Sequence, residues 1–477
     1  CTDLKLYPSF ELDTSWKKLL INQFHDIIPG SSINLVYQTT HKEYNEIHKT
    51  CDELIIKAGK ALFQKTNNSF VLSNALSYPY EGLIKIPKTF TGYNLITEND
   101  TKINTQEING DTYCHVSLPP FSLTNFSKAE KVNHQSKNQK DYVLENGLVK
   151  YKFSKDGTLL SGIDKETNKD LLSAPGNVLS LYEDRPLNWD AWDIDFYYKE
   201  SLLETAEVVK IHKVQSGSIA SYLEIQFTIG NSSIAQMISL SNQSKRLDFD
   251  TMVDWREKHK MLRVHFPTNI ISEQASFDIQ YGYVKRNTHK NTSWDRAKFE
   301  VVGHKYADLS DNDSGIALLN DCKYGYSIFD KTIDLNLLRS PNNPDADADL
   351  GEHSFTFSLY PHEHDLIRSN VIEESSKLNN PPILFNGVKN IKSKSAINFE
   401  GKGIEISSIK KSEHSNEIII RAIETLGKTS KGKIHFKGKI TETNLMERKS
   451  LKPTKKVNGS FDLVLKPFEI KTYRCTL

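Results

Sequence analysis

A single amphipathic stripe dominates the start of this 477-residue chain, and it stops abruptly. Ile33, Val36, Thr40, Tyr44, Ile47, Cys51, Leu54, Ala58 and Leu62 follow one another in steps of three and four. That spacing predicts one long helix with one apolar face. Upstream, Asp13 is a plausible N-cap for a first helix carrying Trp16, Leu20, Phe24 and Ile27 or Ile28. Pro29-Gly30 breaks it, and Ser31 or Ser32 can cap the next. Two helices and a short turn form an αα-hairpin, which normally needs a third element to cover its apolar faces. That element is missing or lies upstream of Cys1, so the helical part reads as a truncated bundle.

After about residue 66 the periodicity changes from helical to β-type. Phe70–Ser73, Gly82–Pro87 and His115–Pro120 are short apolar runs bounded by turn residues. Lys128 to Lys140 reads as a polar linker. Leu148–Phe153 alternates, and Asp156-Gly157 turns it into Thr158-Leu159-Leu160. Similar runs recur to Phe355–Tyr360, and Pro381-Pro382 marks another boundary. The expected fold is therefore mainly β with an N-terminal helical segment. Four units are expected: a helical unit over 1–66, a small β-sandwich over 67–135, a large β super-sandwich over 136–372 and a C-terminal β-sandwich over 373–477. The lysines alternating with apolar residues in the last hundred positions read as the solvated face of that last sandwich.

Charge narrows the function classes. Lys and Arg number 61 against 60 Asp and Glu, a net charge of +1, which gives no footprint for nucleic acid. No apolar run approaches the ~20 residues a membrane span needs. The five cysteines, Cys1, Cys51, Cys114, Cys322 and Cys475, are scattered and form no C-x-x-C pair. A disulfide framework and a cysteine zinc site are not indicated, and a reducing, cytoplasmic setting is the simpler expectation. The start, Cys1-Thr2-Asp3-Leu4-Lys5, has neither an initiator Met nor a signal core, so a longer or processed parent chain is expected.

The stretch Asn22 to Ser32 places His25 beside Asp26 where the first helix should end. Neighbours on a helix point about 100° apart, so the two can serve one site only if it lies at the helix end. Imidazole with carboxylate suits Zn²⁺, and the carboxylate could instead hold a polar substrate.

Further segments fall into one order: Tyr182–Pro186, Trp189-Asp190-Ala191-Trp192-Asp193, Arg286–Asp295, Ala307–Ser310, Leu319–Tyr326, Leu337–Pro341 and Gly351–Phe355. With Asn22–Ser32 they resemble the middle and C-terminal regions of the glycoside hydrolase family 38 α-mannosidases, over nearly the whole chain. The resemblance implies a mutarotase-like large sandwich and a zinc-dependent, retaining hydrolase of α-mannoside oligosaccharides. It makes His25 a zinc ligand and Asp26 a contact to the sugar. It also implies that the nucleophile, the acid/base and the other zinc ligands lie in an N-terminal barrel of the same polypeptide, with no catalytic carboxylate in this chain. A homo-oligomer is a mild expectation of the same resemblance.

Trp189, Asp190, Trp192 and Asp193 interleave aromatic rings with carboxylates, as a sugar subsite does. A hydrogen-bonded turn in a sandwich would read the same way. Arg339 either reaches the sugar or makes a strand-end salt bridge. His289, Trp294 and Asp295 read as a structural cluster, and His362 and His364 as surface loop. The alternative function is a non-catalytic carbohydrate-binding or assembly module.

Overall fold

The computed structural model describes residues 4–132, 137–138, 141–212, 214–390 and 397–476. The helical hairpin is α1 (Ser9–Asn22) followed by α2 (Asn34–Leu62). The middle of the α2 stripe, Val36 to Leu54, is half-buried or buried, while Ile33, Ala58 and Leu62 are exposed, and Asn22 Nδ2 donates to Glu43 Oε2 at 2.7 Å to join the two helices. Helix starts differ from the sequence reading. Pro8, not Asp13, precedes α1, and Ile33, not Ser31 or Ser32, precedes α2. Asp13 instead pairs with Lys17 one turn on, at 2.7 Å. Helix α1 also ends at Asn22, so His25 and Asp26 lie in the connecting turn, not on a helix end. Trp16, Leu20 and Phe24 are exposed.

Helix α2 runs straight into the strand Phe63–Ser73, which puts a residue-66 boundary inside a strand. That strand sits in a five-stranded sheet with 123–131, 93–97, 102–103 and 383–390. The last of these corrects the C-terminal boundary: Ile383–Asn390 pairs antiparallel with Phe63–Ser73 instead of joining the final sandwich. Gly59 of α2 permits this closure, because an added Cβ would meet the Phe385 ring at 2.8 Å. The sequence 128–140 is strand up to Lys131, and part of the expected linker lies outside the described residues.

A three-stranded sheet (80–86, 111–118, 105–108) completes the small β unit around Phe70, Phe90, Val116 and Phe126. The large unit opposes a six-stranded sheet (including 178–183, 260–267 and 332–339) to an eleven-stranded one (including 232–241, 247–255 and 351–363). Strict alternation explains the packing. In Leu247–Trp255 the odd residues Leu247, Phe249, Val253 and Trp255 enter the core, while Asp248, Asp250 and Asp254 face outward. A final six-stranded sheet closes on Ile404, Ile420, Ile434 and Leu463. The expected order, helical segment then β-sandwiches, is the observed one.

His362 departs from the loop reading. It lies in the strand Gly351–Glu363, is buried, and its Nε2 sits 2.7 Å from Asp308 Oδ1. Asp295 forms a capping box with Thr292 at the start of a short helix, which accounts for the His289–Asp295 cluster structurally.

Candidate substrate-binding cleft

Three segments meet at one open cleft of about 640 Å³: the turn after α1, the loop 185–192 and the segment after the strand Thr332–Arg339. Ser31, Trp189, Asp190, Trp192, His259 and Asn343 contribute to its walls.

The turn is held by its own hydrogen bonds. Tyr37 from α2 donates to the Asp26 carbonyl at 3.1 Å and accepts from the Ser32 amide at 2.8 Å. Burial of that hydroxyl raises the Tyr37 pKa, with Asp345, Asp349 and Asp26 adding to the effect. Ser31 Oγ donates to Asp26 Oδ1 at 3.4 Å. His25 stacks near Phe24, its Nε2 is 3.8 Å from Asp26 Oδ2, and its side chain is 70 % exposed against 44 % for Asp26. Both are therefore available to a ligand. At the start of α2, Asn34 Nδ2 bonds Asp345 at 3.2 Å, tying the turn to the third segment.

The loop 185–192 presents Trp189 and Trp192 outward, 73 % and 54 % exposed. Asp190 beneath them faces inward. Its Oδ2 accepts from the amides of Asn342 and Asn343 at 2.7 and 3.0 Å, and Oδ1 lies 3.4 Å from His259 Nδ1. Arg339 does not open onto the cleft. Its guanidinium bonds the carboxylate of Asp184 and the carbonyls of Asp190, Ala191 and Asp193. Of the alternatives raised by the sequence, the strand-end salt bridge is the observed one, extended into a clamp on the loop. Asp193 is held through that carbonyl and does not line the cleft. Burial raises the Asp184 pKa, and Arg339 opposes the shift.

The far end of the loop is anchored by a buried charge network. Tyr198 donates to Glu300 at 2.5 Å, Arg263 bonds Asp334 at 2.6 Å and Glu300 at 3.1 Å, and Lys199 lies 3.3 Å from Asp334. Burial pushes Asp334 upward, but Arg263 and His265 outweigh it and hold the carboxyl far below its usual range. Burial pushes Glu300 upward despite Arg263.

The sequence reading missed His259, Asn343, Asp345 and Tyr37. Only Asp345 carried a signal, in the regular spacing of Asp345, Asp347 and Asp349.

For a metal, the turn offers one imidazole and one neighbouring carboxylate. No group of three potential ligands occurs among the described residues. The donors fit part of a tetrahedral zinc shell, and a full shell requires further ligands.

Exposed indole faces beside hydrogen-bonding groups are what a sugar-binding cleft requires. Similarity to known proteins identifies the family. Residues 2–62 match the alpha mannosidase middle domain, 144–347 the glycosyl hydrolases family 38 C-terminal domain, and 403–473 the family 38 C-terminal beta sandwich domain. Alpha-mannosidase G of Dictyostelium discoideum is 34 % identical, over 98 % of this chain and 48 % of that protein. Human alpha-mannosidase 2C1 is 32 % identical, over 88 % and 41 %. An alpha-mannosidase from Enterococcus faecalis V583 has the same fold, with TM-score 0.78 at 18 % identity over 98 % of this chain and 64 % of that one. The chain belongs to glycoside hydrolase family 38, through its middle and C-terminal domains. It spans about half the length of the curated relatives it matches.

Proposed function

We propose that this chain forms the helical and β-sandwich part of a zinc-dependent, retaining α-mannosidase that removes terminal α-D-mannose from oligosaccharides. The observation that carries the reading is the cleft at which Ser31 meets the loop bearing Trp189 and Trp192; His25 and Asp26 lie in the same turn as Ser31 but do not themselves line the cleft. His25 donates one imidazole nitrogen to the metal. Asp26 accepts from sugar hydroxyls. Trp189 and Trp192 stack on the C–H faces of the glycan, and Asp190 with Arg339 fixes the loop that carries them. A bound zinc ion would supply positive charge that stabilises developing negative charge on substrate oxygens.

Retaining hydrolysis needs a nucleophile and an acid/base about 5 Å apart. Asp190 is committed to two backbone amides, and Asp26 is one carboxylate beside a histidine. The family resemblance implies that the reacting pair lies in a barrel on the same polypeptide, and this chain alone is inactive in our reading.

The test compares the 477-residue chain with the protein translated from its complete reading frame, using an aryl α-mannoside and measured zinc content. We expect turnover and bound zinc only in the latter, and loss of zinc in its His25→Ala variant. Turnover by the 477-residue chain, or full zinc occupancy in the variant, overturns the assignment.

A further inference from the structure

We infer that the cleft between the small β unit and the outer face of the eleven-stranded sheet is a second saccharide site, taking one neutral, hexose-sized polyol. It shares no residue with the cleft at Trp189 and does not rest on the mannosidase reading.

The cavity measures about 210 Å³. That is enough space for at least one sugar ring. Strand alternation creates it: the odd residues of Leu247–Trp255 fill the core, so Asp248 and Asp250 project beneath the small β unit. Tyr80 and Tyr113 close it from above.

Four polar groups converge there with bonding capacity unused. Asp250 Oδ1 accepts from Thr356 at 2.8 Å, and its second oxygen has no protein partner among the described residues. The hydroxyls of Tyr80, Tyr113 and Ser239 line the same cavity and likewise have none among those residues. Tyr80 is buried, and Tyr113, Ser239 and Asp250 are half-buried, so their free capacity faces the cleft and is open to a ligand or to water. Three hydroxyls that donate and accept, beside a carboxylate oxygen that accepts, match a partner that does both. The tyrosine rings add apolar faces for its C–H groups.

Charge excludes the other ligand classes. Arg246 is matched by Asp248 at 2.7 Å and by Glu374 at 3.2 Å, and Lys377 is matched by Glu374 at 2.7 Å. The lining carboxylates without an ion-pair partner among the described residues are Asp250 and Glu81, and both repel an anion. No cluster of three metal-binding side chains exists among the described residues, so a chelated cation lacks its shell.

The test is a crystal structure of the full native chain soaked in turn with D-mannose, D-glucose and D-galactose, with calorimetric titration of the same sugars. We expect ring density in this cleft for at least one hexose and saturable millimolar binding. Asp250→Asn and Tyr113→Phe, both near-isosteric, should each weaken that binding by about tenfold, the cost of one hydrogen bond to a charged or buried partner. An empty cleft in all three soaks, or affinity unaffected by both cleft variants, would overturn the assignment.

Discussion

Arg339 donates through Nη2 to the backbone carbonyl of Asp190 at 2.8 Å, while its Nε engages the buried carboxylate of Asp184. One planar guanidinium thus holds a buried acid and the loop that presents two exposed tryptophans. Arginine suits this because its donors lie in a fixed fork, which a lysine ammonium does not reproduce.

Removing that fork should loosen the cleft without touching it. Arg339→Met leaves Asp184 buried and unpaired, and should cost about 3–5 kcal/mol of folding stability. Urea unfolding of variant and parent checks this. A loss below about 1 kcal/mol, the range of an exposed pair, would mean that the clamp is not held in solution. Arg339→Lys should fall between, since it keeps the charge but not the bonds to the loop carbonyls.

Asp250 gives a pH signature. Burial, and then the like charge of Asp248, push its carboxyl up to about 6 from 3.8. The unfolded chain gives up this proton more readily than the native one. Between about pH 4 and 6 the native state therefore binds more protons, and stability falls as pH rises through that window. A shift of about two units corresponds to an order of 3 kcal/mol against folding at neutral pH. Asp250→Asn removes that term, so the variant should be more stable than the parent at pH 7.5 and nearly equal near pH 4. Denaturant midpoints across this range provide the measurement, and a gain that does not change with pH would contradict the assignment. The same substitution should weaken hexose binding, which separates stability from affinity.

The buried pair His362–Asp308 links two strands across the strand Ser314–Asn320 that lies between them. Ser310 Oγ also donates to Asp308 Oδ2 at 2.7 Å, so both carboxylate oxygens are engaged. Asp308→Ala strands the imidazole and should cost about 1–3 kcal/mol. Gly315→Ala should cost a similar amount by overpacking, since an added Cβ would lie 2.3 Å from His362 Cε1. Thermal melts of the two single variants and the double variant test the coupling: a shared site gives non-additive losses.

His362 also shows where sequence reading fails. Periodicity marks which residues of one segment share a face, so the α2 stripe and the alternation of Leu247–Trp255 were legible. It cannot say which distant segment arrives opposite. His362 meets an aspartate 54 positions earlier, Arg339 meets one 155 positions earlier, and Asn390 returns to Phe63. Each partner is set by strand order, so His362 read as loop and Ile383–Asn390 as part of the wrong sandwich. The His25–Asp26 turn was misplaced for a local reason. The apolar spacing continues through Phe24 and Ile27, but the helical hydrogen bonding stops at Asn22 and Tyr37 takes over the turn's carbonyls. The motif itself was legible because it is short and local, whereas Tyr37 meets it, and His259 meets Asp190, only in three dimensions.

Trp189 carries the sharpest test of the first cleft. It is an exposed indole held at φ +57°, a left-handed conformation that a bulky side chain occupies at a cost of about 1 kcal/mol. Nothing in packing offsets this cost, because the ring faces solvent. Glycine adopts that conformation freely but loses more chain entropy on folding, and the two effects should nearly cancel. Trp189→Gly is therefore expected to unfold within about 0.5 kcal/mol of the parent. In the full native chain it should raise KM for an oligomannoside far more than for an aryl mannoside, since the loss concerns contact with the glycan and not the chemistry. If KM is unchanged for both, the indole does not touch substrate, and the strained backbone at Trp189 serves only the turn that brings Asp190 under Arg339.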